Sequence, residues 1–371
     1  MAGKNIETKA KPKTKPKTRK KKKTQKKSRI FLFLLEMILL IVLLIVLYAV
    51  LKADKVNKIS IDKDNIEVNE SVKNNETLKE YRNIALFGVD ARDKSLGKGN
   101  RTDTIMIASI NLETGDIKLV SVYRDTYLNL GNDTYNKCNA AYAKGGPEQA
   151  INMLNMNLDL NIEDYVTVGF TGLMETVDAL GGIEMNILES EIRHLNNYQI
   201  SMVGTTTDGK TFVANEGKDY TAIKRAGVQT LNGLQATAYC RVRQVGDDFM
   251  RAQRQRDVLT AIVEKAKRAN PATLNKILDK VLPYISTSLD IDEVASVLTD
   301  ITKYNIVAKD GFPFEDGRTT GNVGSKGSCV IPVTLASNVT KLHEFLFDSD
   351  EYQLSTEVQS YSQKISTDTG R

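Results

Sequence analysis

Asp103-Thr-Ile-Met-Ile-Ala-Ser-Ile110, Asn111-Leu-Glu-Thr-Gly115-Asp116 and Ile117-Lys-Leu-Val-Ser-Val-Tyr123 read as a strand, a turn and a returning strand. Both runs are rich in β-branched and other apolar residues, and a Gly- and Asp-containing turn joins them, which makes a hairpin. Upstream, Ile84-Ala-Leu-Phe-Gly88 reads as a buried strand ending in a loop, and downstream Tyr165–Phe170 and Ala236–Val242 read as strands. Helical patterns alternate with these strands. Pro147–Leu158 carries Ile151, Leu154 and Leu158 at helical spacing behind an initiating proline, and Thr171–Leu180 is stopped by Gly181-Gly182. A long amphipathic helix is predicted over Phe249–Ala269, and further helices over 271–285, 291–302 and 338–347. Interleaved strands and helices define an α/β class, and the hairpin makes its central sheet a mixed one covered by helices.

The ends of the chain speak to location. Residues 1–29 hold fourteen Lys and Arg against one acid, Glu7, a balance of +13 in a chain of formal charge +5, so the remainder sums to −8. Low-complexity Lys, Thr and Pro cannot build a core, so this tail is expected to be disordered. Ile30–Leu51 follows with 22 residues and one charge, Glu36. At ~1.5 Å per residue a helix there would be about 33 Å long, enough to cross a ~30 Å hydrocarbon layer. A cleaved signal peptide fits less well, because the apolar run is long and Leu51-Lys-Ala-Asp54 offers no small-residue cleavage pattern. The basic flank places the tail in the cytoplasm and residues 52–371 outside, with the tail as a topology signal and an anionic-lipid contact rather than a nucleic-acid arm. Residues 52–80 read as a stalk, with short alternation at Ile59-Ser-Ile-Asp62. The folded domain is expected to start near Tyr81.

Three cysteines, Cys138, Cys240 and Cys329, permit at most one disulfide and match no zinc spacing. No phosphate-binding P-loop or Gly-rich dinucleotide fingerprint is present, which argues against nucleotides as substrates. Charge instead gathers in Arg241-Val-Arg243-Gln-Val-Gly-Asp-Asp-Phe-Met-Arg251-Ala-Gln-Arg254-Gln255-Arg256. Arg241 and Arg243 share a face if they lie on a strand, and Arg251, Arg254 and Gln255 share one face of a helix, with Arg256 well off it. Strand then helix would aim four guanidiniums at one place, a grip suited to phosphate. Three more charged sites fall at strand ends: Gly88-Val-Asp90, Gly99-Asn-Arg101-Thr-Asp103 and Val122-Tyr-Arg124-Asp125. Each alone is equally well explained as a turn cap or a surface ion pair. The hairpin, however, brings the ends carrying Asp103 and Arg124 together, and Asp90 ends a strand expected to pair nearby. Carboxylates plus phosphate oxygens suit Mg²⁺ (or Mn²⁺), and arginines neutralise a phosphoryl group in transit. Asp90 or Asp125 is a candidate base.

Seven separated segments resemble the LytR-CpsA-Psr family, in order, from about residue 81 to 270. They are Asn83–Asp90, Gly99–Met106, Ser121–Thr126, Asn139–Tyr142 with Gly145-Gly146, Leu180–Ile183, Leu231–Ala236 and Arg241–Gln255. The resemblance implies an α/β/α sandwich preceded by one transmembrane helix. It implies a phosphotransferase that moves a glycopolymer from a polyprenyl-pyrophosphate carrier to peptidoglycan at a bacterial membrane. By the same resemblance, Asp90 and Asp103 correspond to metal ligands. Arg101, Arg124, Arg241, Arg243, Arg251 and Arg254, with Gln255, correspond to the pyrophosphate site. An apolar pocket for the lipid tail is implied too; Ile151, Leu154, Phe170, Leu173 and Val177 either line it or form ordinary core. Met250 stands where many relatives have Gly, and residues 271–371 carry no matching motif and are expected to be a helical extension packing on the domain. Two other readings remain at this level: a non-catalytic polyprenyl-phosphate binding protein, and a membrane-bound regulator of envelope genes.

Overall fold

A computed structural model describes residues 61–91, 95–206, 208–350 and 352–371. The expected basic tail and apolar span lie outside the described residues. Among the described residues, no helix is long and apolar enough to cross a membrane.

The hairpin sits at the heart of the molecule. Strands β1 (Tyr81–Val89), β2 (Thr102–Asn111) and β3 (Asp116–Val122) are followed by a small pair, β4 (Tyr127–Asn129) and β5 (Tyr135–Lys137), and then by β6 (Asp164–Gly169). Another pair comprises β7 (Ile183–Ile187) and β8 (Gly227–Leu231), after which come β9 (Ile285–Thr287), β10 (Asn305–Phe312) and the hairpin β11 (Arg318–Asn322) and β12 (Ser328–Pro332). The central sheet has six strands in the order β10-β3-β2-β1-β6-β9. β2 is antiparallel to both β1 and β3, while β6 runs parallel to β1 and β10 parallel to β3. The C-terminal ends of β1, β3, β6 and β10 and the N-terminal end of β2 therefore share one edge.

Helices α1 (Glu70–Lys73) and α2 (Glu76–Lys79) precede the sheet; α3 (Asn139–Leu158), α4 (Phe170–Ala179), α5 (Glu189–Val203), α6 (Gly233–Tyr239) and α7 (Asp248–Lys267) follow. The last four are α8 (Pro271–Val281), α9 (Ile291–Thr299), α10 (Leu335–Phe347) and α11 (Thr356–Thr369). Strand alternation sorts the layers. Ala85, Phe87, Val89, Ile105, Ile107, Val120 and Val122 pack into one core with Ile151 and Leu154 of α3 and Leu335, Val339 and Leu342 of α10. Leu86, Gly88, Met106, Val166 and Val168 look the other way, toward α4, α6 and α7. The result is the expected α/β/α sandwich around a mixed sheet.

Four expectations are corrected. Ala236–Val242 is not a strand: α6 is helical, begun by Asn232, whose Oδ1 accepts from Gln235 N while Gln235 Oε1 accepts from Asn232 N, each at 2.9 Å. This reciprocal cap fixes a helix start whatever the β propensity downstream. The segment 271–371 is not a helical extension, since it supplies both edge strands of the sheet, β9 and β10. Those strands pair with partners more than a hundred residues earlier, and β10 alternates between exposed and half-buried positions, so its apolar signal is weak. The later part of the expected stalk belongs to the domain too. Val72 and Leu78 are buried, and Ile61, Ile66 and Val68 pack against the same core. Asn69 fastens this segment by donating to Asp159 Oδ1 at 2.6 Å and to Ser355 Oγ at 3.2 Å. Lastly, Ile61 and Asp62 form no strand, and Ile59 and Ser60 lie outside the described residues.

Candidate active site

A cavity of about 400 Å³ opens between the second face of the sheet and helices α4 and α7. Its floor is set by strand register. Gly88 pairs with Thr104 and Val168, and one layer down Leu86 pairs with Met106 and Val166. Asp90 and Asp103 stand at the edge above them and also line the cavity. Its roof is one stripe of α7: Arg251, Gln255, Val258, Leu259 and Ile262. These positions repeat every three to four residues and extend about 16 Å along the helix. Floor and roof agree in direction, so charge at the sheet edge gives way to hydrocarbon with depth. Phe170 and Leu173 of α4 complete the apolar wall. Gly88 suits its place, because a Cβ there would meet Thr104 Cβ at 2.9 Å.

The charged end is crowded. Arg124 Nη1 donates to Asp103 Oδ1, and Arg243 Nη2 lies 3.9 Å from the same oxygen. Asp248 Oδ1 lies 3.6 Å from Arg243 Nε and 3.4 Å from Arg251 Nη1. Arg241 stacks over Phe170 at 4.7 Å and over Tyr198 at 5.3 Å. Arg124 and Arg251 also meet across a small side pocket that holds Asp125 and joins the cavity at Asp103. Burial, together with neighbouring Arg243 and Arg124, lowers the Arg251 pKa below the ordinary arginine value. Most telling are the donors without hydrogen bonds. Arg124 Nε, Arg241 Nη1 and Arg251 Nε are buried and make no hydrogen bond. A buried guanidinium N–H left unmade costs more than an ordinary lost hydrogen bond, so two of them on the cavity, Arg241 and Arg251, and a third on Arg124 in the adjoining side pocket mark a place for an anion.

The other expected site residues lie elsewhere. Arg241 and Arg243 are in the turn after α6, not on a strand, yet both line the cavity. Arg254 does not line it. Its Nε donates to Glu191 Oε1 at 2.7 Å, and its Nη1 and Nη2 donate to the carbonyls of Val242 and Val245 at 3.1 and 2.7 Å. It holds the turn that carries Arg241 and Arg243. Arg101 is exposed and is not among the lining residues. Asp125 is 3.6 Å from Arg124 Nε and 3.5 Å from Lys137 Nζ, and it lines only the side pocket. Ile151 and Leu154 are buried on the opposite face of the sheet, and Val177 packs in a core beside the cavity, so of the expected lipid-wall residues only Phe170 and Leu173 are in place. Arg256 points away from the cavity as expected, yet it is buried beside Tyr123 and unsuited to free substitution. All three cysteines are free and buried, and burial pushes the Cys240 thiol up to about 12, which leaves no thiolate for chemistry. Sequence reasoning missed Leu86, Thr104, Met106, Val166, Val168, Val258, Leu259 and Ile262. Alternation along the strands and the four-residue repeat from Gln255 were the signals for them.

Among the described residues, no cluster of three or more His, Cys, Asp or Glu could hold a metal. Asp90 and Asp103 nonetheless offer two carboxylates at one edge of the cavity. Mg²⁺ commonly takes one or two carboxylates and completes its shell with phosphate oxygens and water, so the donor set fits that ion once a phosphate is present.

Fold and site together define an α/β/α protein with an amphiphilic cavity, cationic at its mouth and apolar within. The LytR_cpsA_psr family profile matches residues 43–325, and the chain belongs to that family. The match runs past residue 270 through β10 and β11, in agreement with their place in the fold. A polyisoprenyl-teichoic acid–peptidoglycan teichoic acid transferase, TagU of Enterococcus faecalis, is 32% identical over 226 residues, 60% of this chain and 66% of that protein. TagT of Bacillus subtilis, named for the same activity, is 27% identical over 233 residues, 62% of this chain and 66% of that protein. The chain thus matches just under two thirds of the length of these relatives. A solved structure of YwtF (TagT) with bound octaprenyl pyrophosphate lipid shares the fold, with a TM-score of 0.54 and 20% identity over 77% of this chain and 99% of that one.

Proposed function

We propose that this chain is a membrane-anchored phosphotransferase. It moves a wall glycopolymer from a polyprenyl-pyrophosphate carrier to peptidoglycan and releases polyprenyl phosphate. The observation that carries this reading is the pair of buried donors, Arg241 Nη1 and Arg251 Nε, that make no hydrogen bond at the mouth of an apolar cavity, with Arg124 in the side pocket that joins it. A diphosphate attached to a hydrocarbon chain satisfies both halves at once. The names of TagU and TagT support a teichoic acid as the polymer and peptidoglycan as its acceptor.

In this reading the apolar floor and the α7 stripe take the first part of the prenyl chain. Arg241, Arg243 and Arg251 take the diphosphate. The acceptor hydroxyl attacks the phosphorus that carries the sugar, the bond from that phosphorus to the bridging oxygen breaks, and the electron pair leaves on the lipid phosphate. Arg124, beside Asp103, balances charge on the phosphoryl group as it passes. Asp90 is the better base, because it opens on the cavity mouth while Asp125 is held between Arg124 and Lys137. Asp103, beside Asp90, would hold Mg²⁺ or Mn²⁺, which would make the lipid phosphate a better leaving group and would leave Asp90 free to take the acceptor's proton. The apolar run at 30–51 would anchor the chain with residues 52–371 outside the cell, away from nucleic acid.

Transfer of labelled glycan to peptidoglycan by the full chain tests the proposal. Arg243→Ala and Arg124→Ala are each expected to lower it by about 100-fold or more. Unchanged transfer in both variants would refute the mechanism. Tight lipid binding with no turnover in the native chain, Mg²⁺ present, would favour a binding protein instead.

A further inference from the structure

Arg318 lies in a part of the chain that none of the motifs reaches, yet its guanidinium is wedged beside the site. It stacks 3.9 Å from the Phe249 ring centroid and sits 5.2 Å from that of Tyr123. Its Nη1 donates to the Tyr123 hydroxyl at 3.3 Å. Tyr123 and Phe249 meet edge to face at 4.6 Å. Tyr123 immediately precedes Arg124, and Phe249 stands two residues before Arg251. These three side chains therefore bridge the end of β3 and the first turn of α7, the two places that present Arg124 and Arg251 to the side pocket.

The same C-terminal segment grips the end of β3 through its backbone. Tyr123 N donates to Phe312 O at 3.0 Å, and Val330 N donates to Asp125 O at 2.9 Å. The fit is close: a Cβ on Gly311 would lie 2.0 Å from the Tyr123 hydroxyl oxygen, so the tyrosine ring rests directly on the β10 backbone. A planar guanidinium lies flat on a ring while its edge N–H donates to a hydroxyl, a geometry that the point charge of a lysine ammonium does not reproduce.

We propose that Arg318 is a positioning residue for phosphoryl transfer, setting the separation of Arg124 and Arg251 across the pocket they share. The inference rests on the transfer reading above. Arg241, Arg243 and Arg251 line the main cavity and hold the resting diphosphate, whereas Arg124 lies outside it and meets the phosphoryl group in transit. Arg241 and Arg243 are untouched by the wedge and keep the resting diphosphate in place, so its loss slows the chemical step more than it loosens the donor. A misplacement on the order of 1 Å lowers kcat by about 10- to 100-fold, with the donor KM changed by less than about three-fold.

The test uses the full chain in micelles, as Arg318→Ala and Arg318→Lys. Donor kcat and KM are measured separately, thermal unfolding serves as a fold check, and the side-chain Nε resonance of Arg124 is followed by NMR without substrate. The expected result is a kcat loss with KM held, native-like unfolding, a shifted Arg124 resonance and no rescue by lysine. Unchanged kcat, a parallel loss in KM, or full activity with lysine would overturn the proposal. If the native chain transfers no glycan, the transfer reading fails, and the Arg124 resonance still decides the brace. An unmoved signal overturns it and a moved signal supports it.

Discussion

Replacing Glu191 by alanine separates the two roles open to Arg254. The pair is almost fully buried, with side-chain exposures of 3% for Arg254 and 2% for Glu191, and its contact is 2.7 Å. Removing the carboxylate leaves a guanidinium cation in the interior without a counter-charge, held by the Val242 and Val245 carbonyls and the Tyr239 ring. Breaking a buried pair from one side costs about 3–5 kcal/mol. Glu191 Oε2 also accepts from Leu188 N at 2.9 Å at the start of α5, and losing that cap adds about 1 kcal/mol. At roughly 2 °C per kcal/mol for a domain of this size, the unfolding temperature should fall by about 8–12 °C. The double variant Glu191→Leu with Arg254→Met removes both charges and should recover much of that loss, because replacing a whole buried pair by apolar side chains is often neutral. Inorganic pyrophosphate binding should stay weak in the double variant, since the turn carrying Arg241 and Arg243 has lost its anchor. Calorimetric unfolding and titration of pyrophosphate give both readouts. An unfolding temperature lowered by less than about 2 °C in Glu191→Ala, or tighter pyrophosphate binding there, would refute the argument and return Arg254 to the ligand set.

The remaining expectations concern the tail pocket, the ion and pH. Met106→Trp fills the apolar end and displaces prenyl surface on the order of 100 Å², about 2.5 kcal/mol, so polyprenyl diphosphate should bind tens-fold more weakly while inorganic pyrophosphate binds as before. Chelation should stop glycan transfer, Mg²⁺ or Mn²⁺ should restore it, and Asp103→Asn should blunt that restoration; transfer indifferent to chelator would remove the metal from the scheme. His343 is buried against Tyr352, and desolvation drops its pKa to about 4. The folded chain therefore resists protonating a ring that the unfolded chain protonates near pH 6.5. This contribution is full above about pH 6.5, declines as pH falls and is lost below about pH 4, a span of about 3 kcal/mol. Urea denaturation across that window should show the decline, and His343→Phe should flatten it.

Several features were legible because they are local. The β2–β3 turn and its flanking apolar runs are contained in about twenty residues, and the antiparallel pairing that gathers Asp90, Asp103 and Arg124 at one edge follows from it. Helical spacing narrowed the α7 face but did not choose its side. From Arg251, Gln255 lies about 40° one way and Arg254 about 60° the other, at 100° per residue. The cavity took the first side and Glu191, sixty-three residues away, took the second. In the same way, helical spacing marked Ile151 and Leu154 as inward-facing without saying whether they would meet a cavity or a packed core. The α6 helix was misread although its Asn232–Gln235 cap was present in the sequence, because a short apolar run fits either period.

The sequence by itself determined the α/β class, the mixed sheet, the edge where acids and arginines collect, and the family. All of these depend on residues near one another along the chain or on motifs in fixed order. Tertiary structure alone decided which arginines are free to meet a phosphate and which are occupied as supports. It also placed Arg318 against Tyr123 and Phe249 and made β10, from the same motif-poor C-terminal segment, an edge strand of the sheet. The physical reason is that a buried donor is either satisfied or orphaned by partners far away in sequence, and only packing reveals those partners.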